Sequence, residues 1–155
     1  MIAAKLDTSE LNRLIENLDQ SPEVIKEAKR EAFESAAGKM KQALDSRIGG
    51  TGKVRSWQER YVGSKGGYAA VRPMAKTYTD KSRRYAVGYV TNAINSGHKF
   101  PSPSGKNQRY RPRIVSGRQN VPGKQFYEAT QSEVEQIAQE SVNQVAATLK
   151  QHLEE

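Results

Sequence analysis

Apolar residues return every three or four positions in two long stretches of the chain. The first stripe is Ile25, Ala28, Ala32, Phe33, Ala36, Met40, Ala43, Leu44 and Ile48, the spacing of one helical face. Ser21-Pro22-Glu23 supplies its start. Serine caps the free amides, proline occupies the first helical position without losing a hydrogen bond, and glutamate meets the positive helix end. Gly49-Gly50 breaks the pattern, which predicts a helix of about 27 residues and ~40 Å. Its alanine-rich face allows another element to approach closely.

The second stripe is Phe126, Thr130, Val134, Ile137, Ala138, Ser141, Val142, Val145, Ala146, Leu149 and Leu153. It predicts a final amphipathic helix that starts near Pro122 or Phe126 and ends near Leu153. A shorter stripe, Leu11, Leu14, Ile15 and Leu18, follows the capping candidates Asp7 and Thr8 and predicts a short opening helix.

Between the two long stripes the period changes. Val54–Val62, Tyr68–Arg72 and Tyr85–Thr91 are short runs rich in valine and aromatics, separated by Gly, Ser, Lys and Asp. They predict strands of a mostly antiparallel sheet, although Trp57 and Tyr61 also fit one helical face. Tyr85, Val87 and Tyr89 alternate with Ala86, Gly88 and Val90. Aromatics in this pattern are expected in the sheet core rather than on a base-stacking platform. The expected fold is α+β, a single domain over 1–155 with a long N-terminal helix and a C-terminal helix packed on a small sheet.

Asn95–Lys124 fits neither period. It holds four prolines, four glycines, seven basic residues and no acid. So long a stretch without periodicity is expected to be a mobile basic arm that orders against a partner. Within it, Tyr110–Val115 reads as a short strand that Pro112 keeps at an edge.

Composition narrows the chemistry. The chain has 155 residues and no cysteine, which excludes a disulfide framework, a thiolate zinc site and a cysteine nucleophile. Apolar residues make up 35%, so a modest core is expected. No apolar run nears the about 20 residues needed to span a bilayer, and the N-terminus lacks the apolar stretch of a leader. These features suggest a soluble, intracellular protein.

Charge is unevenly placed. Residues 1–50 carry 8 basic and 9 acidic side chains, residues 51–125 carry 16 and 2, and residues 126–155 carry 1 and 6. The middle block therefore holds net +14 of the chain's +8, which points to a polyanion or an acidic protein surface as partner. Enzymatic signatures are missing: no phosphate loop ending in GK[ST], no HExxH, no GxSxG. Glu59 and Asp80 are the only acids of the basic block. A metal site built from them with His98 is disfavoured, so no catalytic residue, metal or cofactor is expected.

The order of elements and two motifs resemble the tail-completion and head–tail joining proteins of long-tailed double-stranded-DNA bacteriophages. The long helix leads, after a glycine break, into Thr51-Gly52-Lys53-Val54-Arg55-Ser56-Trp57. The first motif is Val90-Thr91-Asn92-Ala93-Ile94-Asn95-Ser96-Gly97-His98. The second, Val121-Pro122-Gly123-Lys124-Gln125-Phe126-Tyr127-Glu128-Ala129, opens the last helix. The resemblance covers most of residues 8–150. It implies a minor structural protein that is monomeric or weakly associated when free, in the host cytoplasm, and forms a ring at the virion neck. Its partners would be further copies of itself, the connector or head-completion protein, and the tail-tube or terminator protein, with DNA passing through. Lys99, Arg109, Tyr110, Arg111, Arg113, Arg118 and Lys124 would then face a neighbour or the DNA. Pro122, Phe126 and Tyr127 would anchor the arm, core packing being the plainer role for Phe126. The rival reading is a non-specific double-stranded-DNA-binding protein that uses the basic block directly.

Overall fold

The computed structural model describes residues 2–4, 22–50, 52–64, 67–99 and 120–154. The fold is α+β. The backbone gathers into two compact units, Met1–Met74 with Tyr127–Glu155, and Ala75–Phe126. The expected helix over Leu11–Leu18 and the expected strand Tyr110–Val115 lie outside the described residues.

In the first unit, strand β1 (Ile2–Ala4) is followed by helix α1 (Pro22–Arg47). Pro22 opens α1, Glu23 sits in its first turn and Arg47 in its last, the charge order that a helix dipole favours. The predicted stripe is the buried face, with Ala37 joining it and Ala43 only half-buried. Ile48 N–H still donates to the Leu44 carbonyl at 3.0 Å, one residue beyond the helix end.

The run after the glycine break divides in two. Gly52–Trp57 is a 3-10 helix and Gln58–Val62 is strand β2. Val54 and Trp57 are buried three residues apart, the period at which side chains of a 3-10 helix line up. This explains why the segment read both as strand and as helix. Strand β3 (Ala69–Pro73) lies between β1 and β2, antiparallel to both. Its Ala69, Ala70 and Val71 are all buried, so both faces are covered over the first three residues of the central strand, while Arg72 and Pro73 are half-buried.

Helix α3 (Phe126–Glu154) closes this unit against α1. Ile25 and Ala32 cluster with Val145 and Leu149. Lys39 Nζ meets Glu140 Oε2 at 2.8 Å, and Arg47 pairs with Glu133. These contacts run in opposite directions along the two helices, so the helices are antiparallel. Apolar burial supplies most of the stability, because half-exposed ion pairs contribute only about 0–1 kcal/mol each.

The second unit begins with a hairpin, strand β4 (Thr77–Asp80) and strand β5 (Arg83–Ala86). Helix α2 follows at once over Val87–Ser96, and then strands β6 (Gly97–Lys99) and β7 (Asn120–Pro122) pair antiparallel. Here the structure corrects the expected strand Tyr85–Thr91, which turns into helix at Val87. The helical face is Val87, Thr91 and Asn95, all buried. Two of these three are polar, so an apolar count misses the four-residue period. No side chain caps the helix at Ala86, so the sequence gives no start signal either. The exposed aromatics correct a second expectation. Tyr89 is 72% exposed on α2 and Tyr68 is 41% exposed, so neither packs in a core.

Candidate functional site

The two motifs that are separated in sequence by the basic stretch meet in space. Gly97 lies opposite Pro122, His98 opposite Val121, and Lys99 opposite Asn120. Two further backbone bonds tighten the junction. Lys124 N–H donates to the Ile94 carbonyl at 3.0 Å, and Gln125 N–H donates to the Asn95 carbonyl at 2.9 Å. The last turn of α2 thus finds partners for its free carbonyls in the residues just before α3.

Two glycines make this approach possible. Gly97 has φ of 82°, and a Cβ there would lie 2.5 Å from the Val121 carbonyl oxygen and 2.7 Å from the Gly123 nitrogen. A Cβ at Gly123 would collide with the Asn95 carbonyl oxygen and the Ser96 backbone. Both ends of the expected arm are therefore built into regular structure. Asn95 and Ser96 end α2, and 97–99 and 120–122 form the ladder. Residues 97–99 and 120–122 of the expected arm are thus paired strand, Lys99 opposite Asn120, and 100–119 lie outside the described residues. Arg109, Tyr110, Arg111, Arg113 and Arg118 lie outside the described residues. Lys99 and Lys124 are exposed beside the ladder.

Pro122, Phe126 and Tyr127, expected as anchors, each lie in regular structure. Pro122 sits in β7 opposite Gly97, and among the described residues that strand is paired along one side, the setting in which sheets tolerate proline. Phe126 is 1% exposed. In the first unit, the Tyr127 hydroxyl donates to Gln58 Oε1 at 2.8 Å, and Gln58 Nε2 donates to the Val54 carbonyl at 3.1 Å. Burial pushes the Tyr127 phenol well above its ordinary range, and the charge of Glu128 adds to the effect. Gln58 escapes sequence reasoning because it sits in a strand-like run as an ordinary polar residue. Only its place directly after the buried Trp57 marks it.

The hairpin of the second unit carries the other distinctive feature. Its turn residues Lys81 and Ser82 both have positive φ, 46° and 66°. This is the pattern of the tight turn whose twist matches paired strands, usually built from Asn and Gly. Tyr78 and Tyr85 stack across the strands with ring centroids 5.8 Å apart. They are the only half-buried side chains of the two strands, and the rest are exposed.

Electrostatics differ sharply between the units. In the first, Arg30, Lys39, Lys41, Arg47 and Arg72 each pair with an acid. In the second, the described cations are Lys76, Lys81, Arg83, Arg84, Lys99 and Lys124, against the single acid Asp80. All six are exposed, and among the described residues none of them forms an ion pair.

On the outer side of the first unit's sheet, Glu59 accepts from Arg72 at 3.0 Å while the Arg72 guanidinium lies 3.7 Å from the centre of the Tyr61 ring. His98 Nδ1 lies 3.4 Å from the Ala93 carbonyl oxygen. Among the described residues no three His, Asp or Glu side chains gather as metal ligands, and no helix is long and apolar enough to cross a membrane. No protein-family model, curated protein or solved structure matches the chain.

Proposed function

We propose that the chain is a structural morphogenesis protein of a tailed double-stranded-DNA phage or prophage, acting at the head–tail neck by assembling into a ring. One observation carries the reading. The two motifs on which the resemblance rests form a single hydrogen-bonded junction, with Gly97 against Pro122 and Ile94 and Asn95 bonded to Lys124 and Gln125. Residues that share one junction have a common reason to occur together in this order.

The reading assigns the chain no reaction. It gives segment 100–119, with Lys106, Arg109, Arg111, Arg113 and Arg118, the role of engaging the next copy from a fixed base at Lys99 and Asn120. Among the described strands β2 is an edge of its sheet, a position that suits strand addition by a neighbour. Beside it, Glu34, Ala37, Arg60 and Val62 line a shallow groove of about 230 Å³. One such contact repeated around an axis closes a ring. The connector or head-completion protein and the tail-tube or terminator protein are the partners in this reading, with the host cytoplasm as the place before assembly.

Because Lys99 and Asn120 are already paired, an Asn-Gly turn can replace residues 100–119 without disturbing the ladder. Sedimentation velocity and negative-stain microscopy of both forms test the role. The full chain is expected to be monomeric when dilute and to give rings when concentrated, while the shortened chain stays monomeric and keeps its circular dichroism. Rings formed equally well by the shortened chain would refute the assembly role of the segment.

A further inference from the structure

We infer that the β4–β5 hairpin is a contact for the backbone of double-stranded DNA. The inference rests on the neck reading only for where DNA is met; the contact itself is argued from the hairpin.

The register divides the hairpin into two faces. Tyr78, Tyr85, Asp80 and Arg83 share one, and Thr77, Thr79, Arg84 and Ala86 share the other. Apart from the tyrosine pair, neither face is buried. A two-stranded ribbon is marginal by itself in water, so a ribbon kept exposed on both faces calls for a use. Its strained turn points the same way: Lys81 and Ser82 hold left-handed backbone where Asn and Gly would sit more easily.

The chemistry of the side chains selects the partner. Protein interfaces are built around an apolar core and are depleted in lysine, whereas this ribbon offers threonine, serine, lysine and arginine, with Asp80 opposite Arg83 as its one acid. Lys81, Arg83 and Arg84 surround the turn, Lys76 stands at the base, and none of the four forms an ion pair among the described residues. The ribbon's size also fits. Four residues per strand extend about 13 Å, and the major groove, about 12 Å wide, admits a two-stranded ribbon. The stacked Tyr78 and Tyr85 stiffen the ribbon below its tip. Lysine, arginine and hydroxyl groups meeting phosphates set position without reading sequence. Such binding suits DNA that must move past the contact.

Fluorescence anisotropy of the full chain with a labelled mixed-sequence duplex, across a sodium chloride series, tests the inference. The hairpin variant carries Lys81→Gln, Arg83→Gln and Arg84→Gln. A charge-matched control carries Lys26→Gln, Lys29→Gln and Arg30→Gln on α1, and circular dichroism verifies that both are folded. Each phosphate contact contributes about 0.9 to the slope of log affinity against log salt. The hairpin variant is therefore expected to lose up to about 2.7 of that slope and more than about tenfold in affinity at low salt, while the control stays near the parent. Equal losses in the two variants, or no duplex binding by the parent, would overturn the inference. So would polyglutamate competing as well as duplex, because the partner would then be an acidic protein surface. Sedimentation of the hairpin variant separates this result from the neck reading. Intact rings with lost DNA binding support both, whereas lost rings with intact DNA binding overturn the hairpin's DNA contact and leave the neck reading standing.

Discussion

Tyr127 and Gln58 show what a single buried hydrogen bond does in this chain. Gln58 spends both ends of its amide, one on the Val54 carbonyl and one on the Tyr127 hydroxyl. Tyr127→Phe leaves the buried Gln58 oxygen without a donor, which costs about 1–3 kcal/mol; urea denaturation at neutral pH measures it. The pH dependence has a definite sign. Burial, helped by Glu128, raises the folded phenol above its ordinary value of 10.0. Stability from this group is therefore fully present below pH 10 and falls as the pH rises past it. The parent should lose stability in that alkaline range more steeply than Tyr127→Phe, and parallel pH profiles would contradict the assignment. The sequence singled out Tyr127 by its motif. Its partner was hidden, because nothing local ties a glutamine in a strand to a tyrosine 69 positions away.

At the scale of elements, legibility followed the length of the apolar pattern. Helices α1 and α3 each repeat their stripe over many turns and end near the expected residues. Helix α2 was read as a strand because Thr91 and Asn95 take two of its three buried positions. Strand β4 was not expected at all: Thr77–Asp80 has only Tyr78 turned partly inward. Its signal was the pairing itself, Tyr78 with Tyr85 across a turn whose residues are not the usual Asn-Gly. The motif glycines were legible as motif members, but their physical reason needed the fold. Gly97 and Gly123 stand where the end of α2 and the residues of β7 and just after it touch backbone to backbone. Gly123→Ala is expected to destabilise the junction by about 1–3 kcal/mol, as overpacking does. Hydrogen exchange should then speed up at the Lys124 and Gln125 amides, while the amides of α1 keep their protection. Unchanged exchange at both amides would remove the junction's claim to depend on that glycine.

For the whole molecule, the charge block seen in the sequence resolves into two kinds of surface. The first unit pairs Arg30, Lys39, Lys41, Arg47 and Arg72 with acids on α1, α3 and β2. In the second, Lys76, Lys81, Arg83, Arg84, Lys99 and Lys124 form no ion pair among the described residues. The block's total charge was readable from the sequence, whereas this division was not, because it depends on which acids fold beside which bases. Under the proposed reading, a ring-forming neck protein that also meets DNA would use both surfaces. The most direct measurement is immunogold electron microscopy of particles induced from the host that carries the gene, using antibody raised against this chain. The account predicts gold concentrated where head and tail join, and none on preparations made after the gene is deleted. Label spread over the capsid, gathered at the tail tip, or missing from intact virions would contradict it.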